Sequence, residues 1–199
     1  MKTPLLHQAT QFDCGTTTMV NALVYLFERE EIPPEVVDYI HAVTLDRNIG
    51  PQDSRWGTSG LALAFLAAWM NDYADRSGFP VRCRALSGDE VTAKGDSELV
   101  KAVQGGAVAV AGCCLGADHY VLITGIDDES VRLFDPYYDT WPLHELEGTR
   151  IEGVELVEDE PFACNRIVER RILDEPAHTA YSLEAISGRD AVLIWRSDR

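Results

Sequence analysis

The chain has 199 residues and a mass of 22.1 kDa, which is enough for one domain with a sizeable core. Hydrophobic residues make up 46% of it and charged residues 25%, which excludes a disordered chain or a fibrous repeat. Its 17 Lys and Arg against 33 Asp and Glu give a net charge of −16. That charge disfavours nucleic acid and anionic membranes as partners and favours proteins, peptides or small molecules.

The five cysteines are odd in number and form no CxxC pair, so the sequence supports neither a disulfide scaffold nor a structural zinc site. The longest apolar run, residues 61–70, is much shorter than the roughly 20 residues that span a bilayer. No apolar stretch near the N-terminus is long enough for a signal peptide. We therefore expect a reduced, cytoplasmic protein with no membrane span, no metal and no other cofactor.

The first half of the chain reads as helical. Apolar residues at helical spacing predict a largely buried helix over residues 15–28. A second helix restarts near Pro34, a residue that the first turn of a helix tolerates. Thr58 or Ser59 is placed to cap a third helix, which ends at Ser77-Gly78.

The second half changes to short apolar runs that are typical of strands. One short helix, capped by Asp96 or Ser97, interrupts them. A chain in which the helices come first and an antiparallel sheet follows has an α+β pattern. The predicted strands are residues 80–86, 107–114, 119–126, 130–135 and 191–195.

Cys14 lies where the leading loop meets the first predicted helix. A helix N-terminus offers unpaired N–H groups and a positive partial charge, and both favour a thiolate over a thiol. Gly15 lets the backbone approach whatever binds there. The residue type and place are those of a nucleophile, although a cysteine at such a position also serves as a structural residue.

His119 and Asp135 are the candidates for the matching base and its orienting carboxylate, although each alone is equally a partly exposed histidine or a turn aspartate before a proline. His119 opens the predicted strand 119–126, and Asp135 closes the next one. In an antiparallel hairpin the start of the first strand lies beside the end of the second, so the two side chains come close together. The carboxylate would hold the imidazole tautomer, leaving the other ring nitrogen for the thiol. Asp118 is the local alternative, but a neighbour along a strand points away.

Gln8 precedes Cys14 by six positions and is the candidate for stabilising an oxyanion. A side-chain amide there, together with the backbone N–H of Cys14, would donate to the negative oxygen formed during acyl transfer. Gln11 competes for this role, and either glutamine is equally compatible with a solvated loop.

These motifs resemble the bacteriocin-processing peptidase C39 family of papain-like cysteine peptidases. The resemblance lies in Q-A-T-Q-F-D-C-G opening a helix, in H-Y-V-L-I-T-G-I and L-F-D-P, and in W-G-T-S-G before the third helix. It covers roughly residues 5–140. It implies a Cys-His-Asp set with an oxyanion glutamine, carried here by Cys14, His119, Asp135 and Gln8.

The resemblance also implies a fold and an activity. The expected fold is papain-like, with N-terminal helices packed on a C-terminal antiparallel sheet in a single domain over residues 1–199. Residues 141–199 match no part of the family and are expected to extend the sheet. The best-known members are N-terminal domains of peptide-exporting transporters that cut leader peptides after Gly-Gly. This sequence has no transporter segment and no nucleotide-binding motif, so a stand-alone member is expected.

The expected function is a cysteine peptidase acting on a peptide bond, in a leader or a small-residue context. Two alternatives remain open. The same cysteine thioester would serve an acyltransferase or amidase if an amine replaced water as acceptor. C39-like domains also serve as peptide-binding modules that do not cleave, usually after loss of the cysteine, which this chain retains.

The remaining histidines and cysteines have simpler interpretations. His7, beside Gln8, has no carboxylate at hairpin spacing, and three other histidines have no partner pattern: His41, His144 and His178. Cys113 and Cys114 alternate in a strand, so they face opposite sides, one buried and one near the site loop, and neither is expected to be catalytic.

Two further groups of residues have both a possible functional role and a simpler structural interpretation. Three aromatic residues, Trp56, Trp141 and Tyr120, would line a groove or pack in the core. Residues 127–129 carry three carboxylates, and a solvated hairpin turn explains them better than a metal site does.

Overall fold

The computed structural model describes residues 1–46, 57–138, 152–176 and 179–198. Within these ranges the helices are α1 (Cys14–Leu26), α2 (Pro34–Val43), α3 (Gly60–Ser77), α4 (Glu98–Gln104) and α5 (Arg170–Leu173). The strands are β1 (Val81–Ser87), β2 (Val108–Cys114), β3 (Asp118–Ile126), β4 (Ser130–Phe134), β5 (Val154–Leu156), β6 (Arg166–Glu169) and β7 (Asp190–Arg196).

The helix ends follow the predicted chemistry. Ser59 rather than Thr58 caps α3, because its hydroxyl accepts a hydrogen bond of 3.1 Å from the backbone N–H of Ala62. Gly78 ends the same helix in a left-handed conformation, with φ of +78°. Ser97 caps α4. In the described parts of the chain, no helix combines the length and the apolar character needed to cross a membrane.

All seven strands form one antiparallel sheet in the order β1-β7-β2-β3-β4-β6-β5. The last strand of the chain, β7, lies between β1 and β2. The strands β5 and β6 extend the opposite edge beyond the β3–β4 hairpin. Three strands of this sheet therefore come from the last third of the chain, which the motifs of the sequence do not interpret.

Helices cover both faces of the sheet, and alternate residues of each strand face opposite cores. In β2, Val108 and Val110 pack with the cluster that contains α1, α2 and α3. Ala109 and Ala111 pack with the cluster that contains α4 and α5. This layering places the start of α1 beside the start of β3, where the candidate site lies.

The structure confirms the α+β class, with N-terminal helices packed on an antiparallel sheet. The predicted strands and helices of residues 15–135 are all present within one to two residues of their expected ends. The short elements β5, β6 and α5 were not predicted, because three or four residues are too few to show a period. Trp56, Trp141, His144 and His178 lie outside the described residues.

Candidate active site

A network of hydrogen bonds holds the loop that leads into α1. The carboxylate of Asp13, the residue before the helix, accepts from the backbone N–H groups of Ala9 and Thr10 at 3.0 and 2.8 Å, and from the Thr10 hydroxyl at 2.6 Å. Burial alone would raise the pKa of Asp13, but these bonds lower it. Asp13 therefore shapes the loop as an anion, although its side chain does not cap the helix.

One helical side chain fixes the start of this loop on α1. Asn21 is completely buried, and its amide bonds both backbone groups of Leu6, accepting from the N–H at 2.7 Å and donating to the carbonyl at 2.9 Å. The Asn21 amide thus makes the two hydrogen bonds that a neighbouring β-strand would make with Leu6, and it positions the segment that carries Gln8. The first main-chain bond of α1 runs from Thr17 N–H to the carbonyl of Asp13, at 2.9 Å.

Gly15 allows a close approach between α1 and the segment before α3. A Cβ atom at this position would lie 2.5 Å from both Cβ and Oγ1 of Thr58. No real Cβ tolerates such a contact without a shift of its neighbour. Thr58 is itself buried, and its hydroxyl has no hydrogen-bond partner among the described residues. The glycine therefore lets the second residue of α1 pack directly on Thr58.

Cys14 is the first residue of α1, and its side chain is 7% exposed. Its thiol lies close enough to the ring of His119 to raise the pKa of that imidazole. The first N–H groups of a helix have no partner within it, and the helix dipole adds a positive partial charge there. The thiol therefore lies at a positive helix end and beside the ring of His119, and both favour its anion.

His119 contacts Asp135 through the other side of its ring. Its Nε2 lies 2.7 Å from Oδ1 of Asp135, and both side chains are buried. The register Leu122–Phe134 places Asp135 opposite Val121, two residues from His119 on the same face, so the two side chains meet diagonally. The structure thus brings Cys14, His119 and Asp135 together in that order.

The charges of His119 and Asp135 stabilise each other. Burial would lower the pKa of His119, but the hydrogen bonds and charges of Asp135 and Cys14 outweigh it and raise that pKa to about 10. Burial would raise the pKa of Asp135, but the contact with His119 lowers it. The pair is therefore an imidazolium and a carboxylate at neutral pH.

Several further groups surround Asp135, which is only 1% exposed. Its Oδ1 also accepts from the backbone N–H of Tyr137 at 2.8 Å, and its Oδ2 accepts from the Tyr181 hydroxyl at 2.8 Å. The amide of Asn165 bonds the backbone N–H and carbonyl of Asp135 at 2.7 and 2.8 Å. Both carboxylate oxygens and the main chain of Asp135 are thus held.

Gln8 lies on the leading loop, and its backbone N–H donates to the carbonyl of Pro136, the residue after Asp135. Its side-chain Nε2 donates to the carbonyl of Thr10 at 2.7 Å, which uses one of the two N–H donors of the amide. Its Oε1 is buried and has no partner among the described residues. The oxyanion role of Gln8 stays a prediction, and in this conformation one amide hydrogen is directed into its own loop.

A cleft of about 620 Å³ opens beside His119, between the start of α3 and the ends of β1, β2 and β7. Its walls combine apolar side chains with carboxylates; they include Leu61, Leu86, Asp118, Tyr120, Glu184 and Asp190. Cys14 does not line this cleft. Tyr120 contributes both to the cleft and to the core, because it is 6% exposed and its hydroxyl donates to Asp190 at 2.9 Å.

The other four cysteines are free, buried and poorly suited to ionise. Burial raises the pKa of each thiol, to about 12 for Cys83 and well above the ordinary range for Cys113. Burial likewise raises the pKa of Cys114 and Cys164. The expectation that one of Cys113 and Cys114 would be buried and the other near the site loop is only half right. Both are buried, and Cys113, paired with His119 in the sheet, is the one near the site.

The remaining candidates are placed as follows. The exposed ring of His7 packs on Phe134 and Tyr138, with centroid distances of 5.1 and 4.9 Å. His41 is exposed on α2. Asp127 accepts from the backbone of its own hairpin turn. Within the described ranges, no group of three or more His, Cys, Asp and Glu side chains is arranged to hold a metal ion.

Sequence reasoning did not identify Tyr181, Arg166 and Asn165, which surround Asp135. All three belong to the part of the chain that matched no motif. None of the three lies in an element long enough to show a period. Their hydrogen-bond partners are also far along the chain: Tyr181 is 46 positions and Asn165 is 30 positions from Asp135, and Arg166 is 15 positions from Tyr181. A buried carboxylate such as Asp135 needs hydrogen-bond donors, but the sequence does not specify which distant residues supply them.

Comparison with known proteins finds similarity to solved structures. A solved chain from Bacillus anthracis, described as a "putative C39-like peptidase", superposes with a TM-score of 0.47 and 16% sequence identity. The alignment covers 98% of this chain and 95% of that chain. No family model matches the sequence, and no curated protein matches it. The roles of the site residues therefore rest on their geometry.

Proposed function

We propose that this protein is a cysteine peptidase that hydrolyses a peptide bond. The observation that carries the proposal is the contact chain from the Cys14 thiol through the His119 ring to the buried carboxylate of Asp135. A nucleophile at a helix N-terminus, a base beside it and a third group that orients the base are the three parts of this chemistry.

The chemistry runs in two halves. The Cys14 thiolate attacks the peptide carbonyl carbon, an S–C bond forms, and the imidazolium of His119 gives its proton to the leaving amine as the C–N bond breaks. A water molecule then attacks the thioester and gives a proton to His119. The C–S bond breaks and the thiolate returns. Asp135 keeps one ring nitrogen engaged, so the other always faces the thiol and the substrate.

The oxyanion of each tetrahedral intermediate needs donors close to Cys14. The backbone N–H of Cys14 and the amide of Gln8 are the two candidates. One amide hydrogen of Gln8 is bonded to the Thr10 carbonyl, so the second hydrogen is the donor that we propose for the oxyanion. Asn21 and Asp13 hold the loop that carries Gln8.

The first test is the reactivity of Cys14 towards iodoacetamide in the full-length protein, followed by mass spectrometry of each cysteine. Because burial raises the pKa of the other four thiols, they serve as internal controls. At about pH 6 we expect Cys14 to react at least tenfold faster than any of them, and His119→Gln to abolish the difference. Equal labelling of all five cysteines would disprove the thiolate–imidazolium pair.

The second test is turnover of a pooled synthetic peptide library by the intact protein. We expect new peptide termini with the wild type and with Cys83→Ala, which removes a distant buried thiol, and none with Cys14→Ala. Products that carry an added amine instead of a new carboxylate would show acyl transfer. Peptides retained equally by the wild type and Cys14→Ala, with no turnover by either, would show a binding module.

A further inference from the structure

Tyr181 is a completely buried tyrosine whose hydroxyl is committed to the candidate site. It is 1% exposed, and its hydroxyl donates to Oδ2 of Asp135 at 2.8 Å. The other carboxylate oxygen, Oδ1, receives His119 and the backbone N–H of Tyr137. Tyr181 is therefore the side-chain donor to the oxygen that His119 does not use.

Arg166 donates a hydrogen bond to the hydroxyl oxygen of Tyr181. Arg166 is 4% exposed, and its Nε donates to the Tyr181 oxygen at 3.1 Å. Its Nη1 donates to the carbonyl of Asn165 at 2.8 Å, and the Asn165 amide in turn holds the main chain of Asp135. An oxygen that accepts from a guanidinium becomes a stronger donor, because hydrogen bonds in a chain polarise one another. The arrangement favours the anionic form of Asp135.

The backbone around Tyr181 is held in an uncommon conformation. Its φ of +68° lies in the left-handed region, which a bulky residue rarely adopts. Its N–H donates to the carbonyl of Cys114 at 2.7 Å, and the Cys114 N–H donates to Ser182 at 2.9 Å. Such a conformation persists only where its surroundings enforce it. Here the end of β2 fixes the segment so that the phenol ring reaches Asp135.

We propose that Tyr181, backed by Arg166, is a positioning residue that orients the Asp135 carboxylate and keeps it charged for His119. This proposal rests on the proposed cysteine peptidase function, which is the reason for orienting Asp135. The effect of Tyr181 on the Asp135 carboxylate can be measured without assuming that function. The titratable groups that face Asp135 are His119 and Tyr181, with the thiols of Cys14 and Cys113 nearby, and the charge of Arg166 acts on Tyr181. Of these, Tyr181 is the one whose hydroxyl can be removed without changing the shape of the ring.

The test is a carboxyl carbon-13 NMR titration of Asp135, assigned by comparison with Asp135→Asn. Tyr181→Phe keeps the buried ring and removes one donor to the carboxylate, so we expect the pKa of Asp135 to rise by about one unit, a tenfold change in proton affinity. The acid limb of Cys14 alkylation by iodoacetamide is expected to move upward with it. Tyr73→Phe is the control, because it removes a tyrosine–carboxylate bond to Glu35, away from the site.

A tyrosine that serves only as core packing would leave the Asp135 titration unchanged in Tyr181→Phe, and that result would overturn the proposal. Replacement of Tyr181 by meta-fluorotyrosine gives a second reading if Tyr181→Phe does not fold. A stronger phenol donor is expected to lower the pKa of Asp135, and no downward movement would equally overturn it. If Cys14 in the wild type titrates as an ordinary thiol, the peptidase proposal fails, while the Asp135 titration still decides the role of Tyr181.

Discussion

At the scale of single residues, the site depends on a carboxylate with every oxygen engaged. Asp135 has partners on both oxygens and on both backbone groups. A buried carboxylate without such partners would take up a proton, and His119 would lose its counter-charge. Asp118, adjacent to His119 in sequence, is exposed and faces the cleft instead.

The His119–Asp135 pair predicts how stability changes with pH. Folding raises the pKa of His119 from 6.5 to about 10, so its contribution is complete below 6.5 and is lost as the pH rises through 10. Folding lowers the pKa of Asp135, so that contribution is lost as the pH falls through the folded value. Asp135→Asn is therefore expected to reduce the free energy of unfolding by about 3 kcal/mol near pH 6 and by less towards pH 10.

The measurement is urea unfolding of the wild type and Asp135→Asn at both pH values. Asp127→Asn is the control, because Asp127 lies in an exposed turn and its lowered pKa affects stability only in acid. A difference between wild type and Asp135→Asn that is the same at pH 6 and pH 10 would contradict an ionised buried pair.

At the scale of elements, the start of α1 is fixed from three sides. Asp13 holds the preceding loop, Asn21 holds the strand-like segment before that loop, and Thr58 packs on Gly15. Each contact joins segments that are far apart or irregular, and together they determine where the Cys14 thiol lies. The site is therefore an assembly of a helix end, a loop and a strand end.

The contact at Gly15 predicts a large effect from one methyl group. Gly15→Ala would place a Cβ 2.5 Å from two atoms of Thr58, so α1 or the segment before α3 has to move. We expect a loss of about 1–3 kcal/mol in the free energy of unfolding and slower alkylation of Cys14. Gly188→Ala is the control for stability, because a Cβ there meets nothing within 4 Å. Equal stability of the two variants would contradict the close packing.

At the scale of the whole molecule, the C-terminal part of the chain completes the structure around the site. The strand β7 lies between β1 and β2, and the segment before it carries Tyr181 to Asp135. A buried ion pair fixes this segment: Arg189 donates to Asp174 at 2.7 Å, and to the carbonyls of Val91 and Glu184. One guanidinium thus joins three separate parts of the chain.

Removal of that guanidinium is expected to be costly. Arg189→Leu leaves the Asp174 carboxylate buried with its cationic partner missing, so we expect a loss of about 3–5 kcal/mol in the free energy of unfolding. Arg171→Leu is the control: its ion pairs with Glu169 and Glu175 lie at the surface, where water screens them, and contribute little. Thermal or urea unfolding of both variants measures the difference, and equal losses would show that the buried pair has no special role.

The sequence by itself determined the elements with a clear period or cap. The apolar spacing of α1, a cap of α3 at Thr58 or Ser59 and the short turn after β3 are local properties, since each depends on neighbours within a few positions. The hairpin spacing also indicated that His119 and Asp135 would approach each other. These local rules were sufficient for the α+β class, whereas the choice of Cys14, His119 and Asp135 as one set also needed the resemblance to the C39 family.

Only the tertiary structure decided what surrounds those residues. The position of β7 inside the sheet, the phenol of Tyr181 on Asp135 and the fit of Thr58 against Gly15 are contacts between distant segments. Their partners carry no sequence period, because each depends on where the whole chain packs rather than on its neighbours. The local pattern therefore indicates a nucleophile and its base, and long-range packing sets the geometry and charge in which they are held.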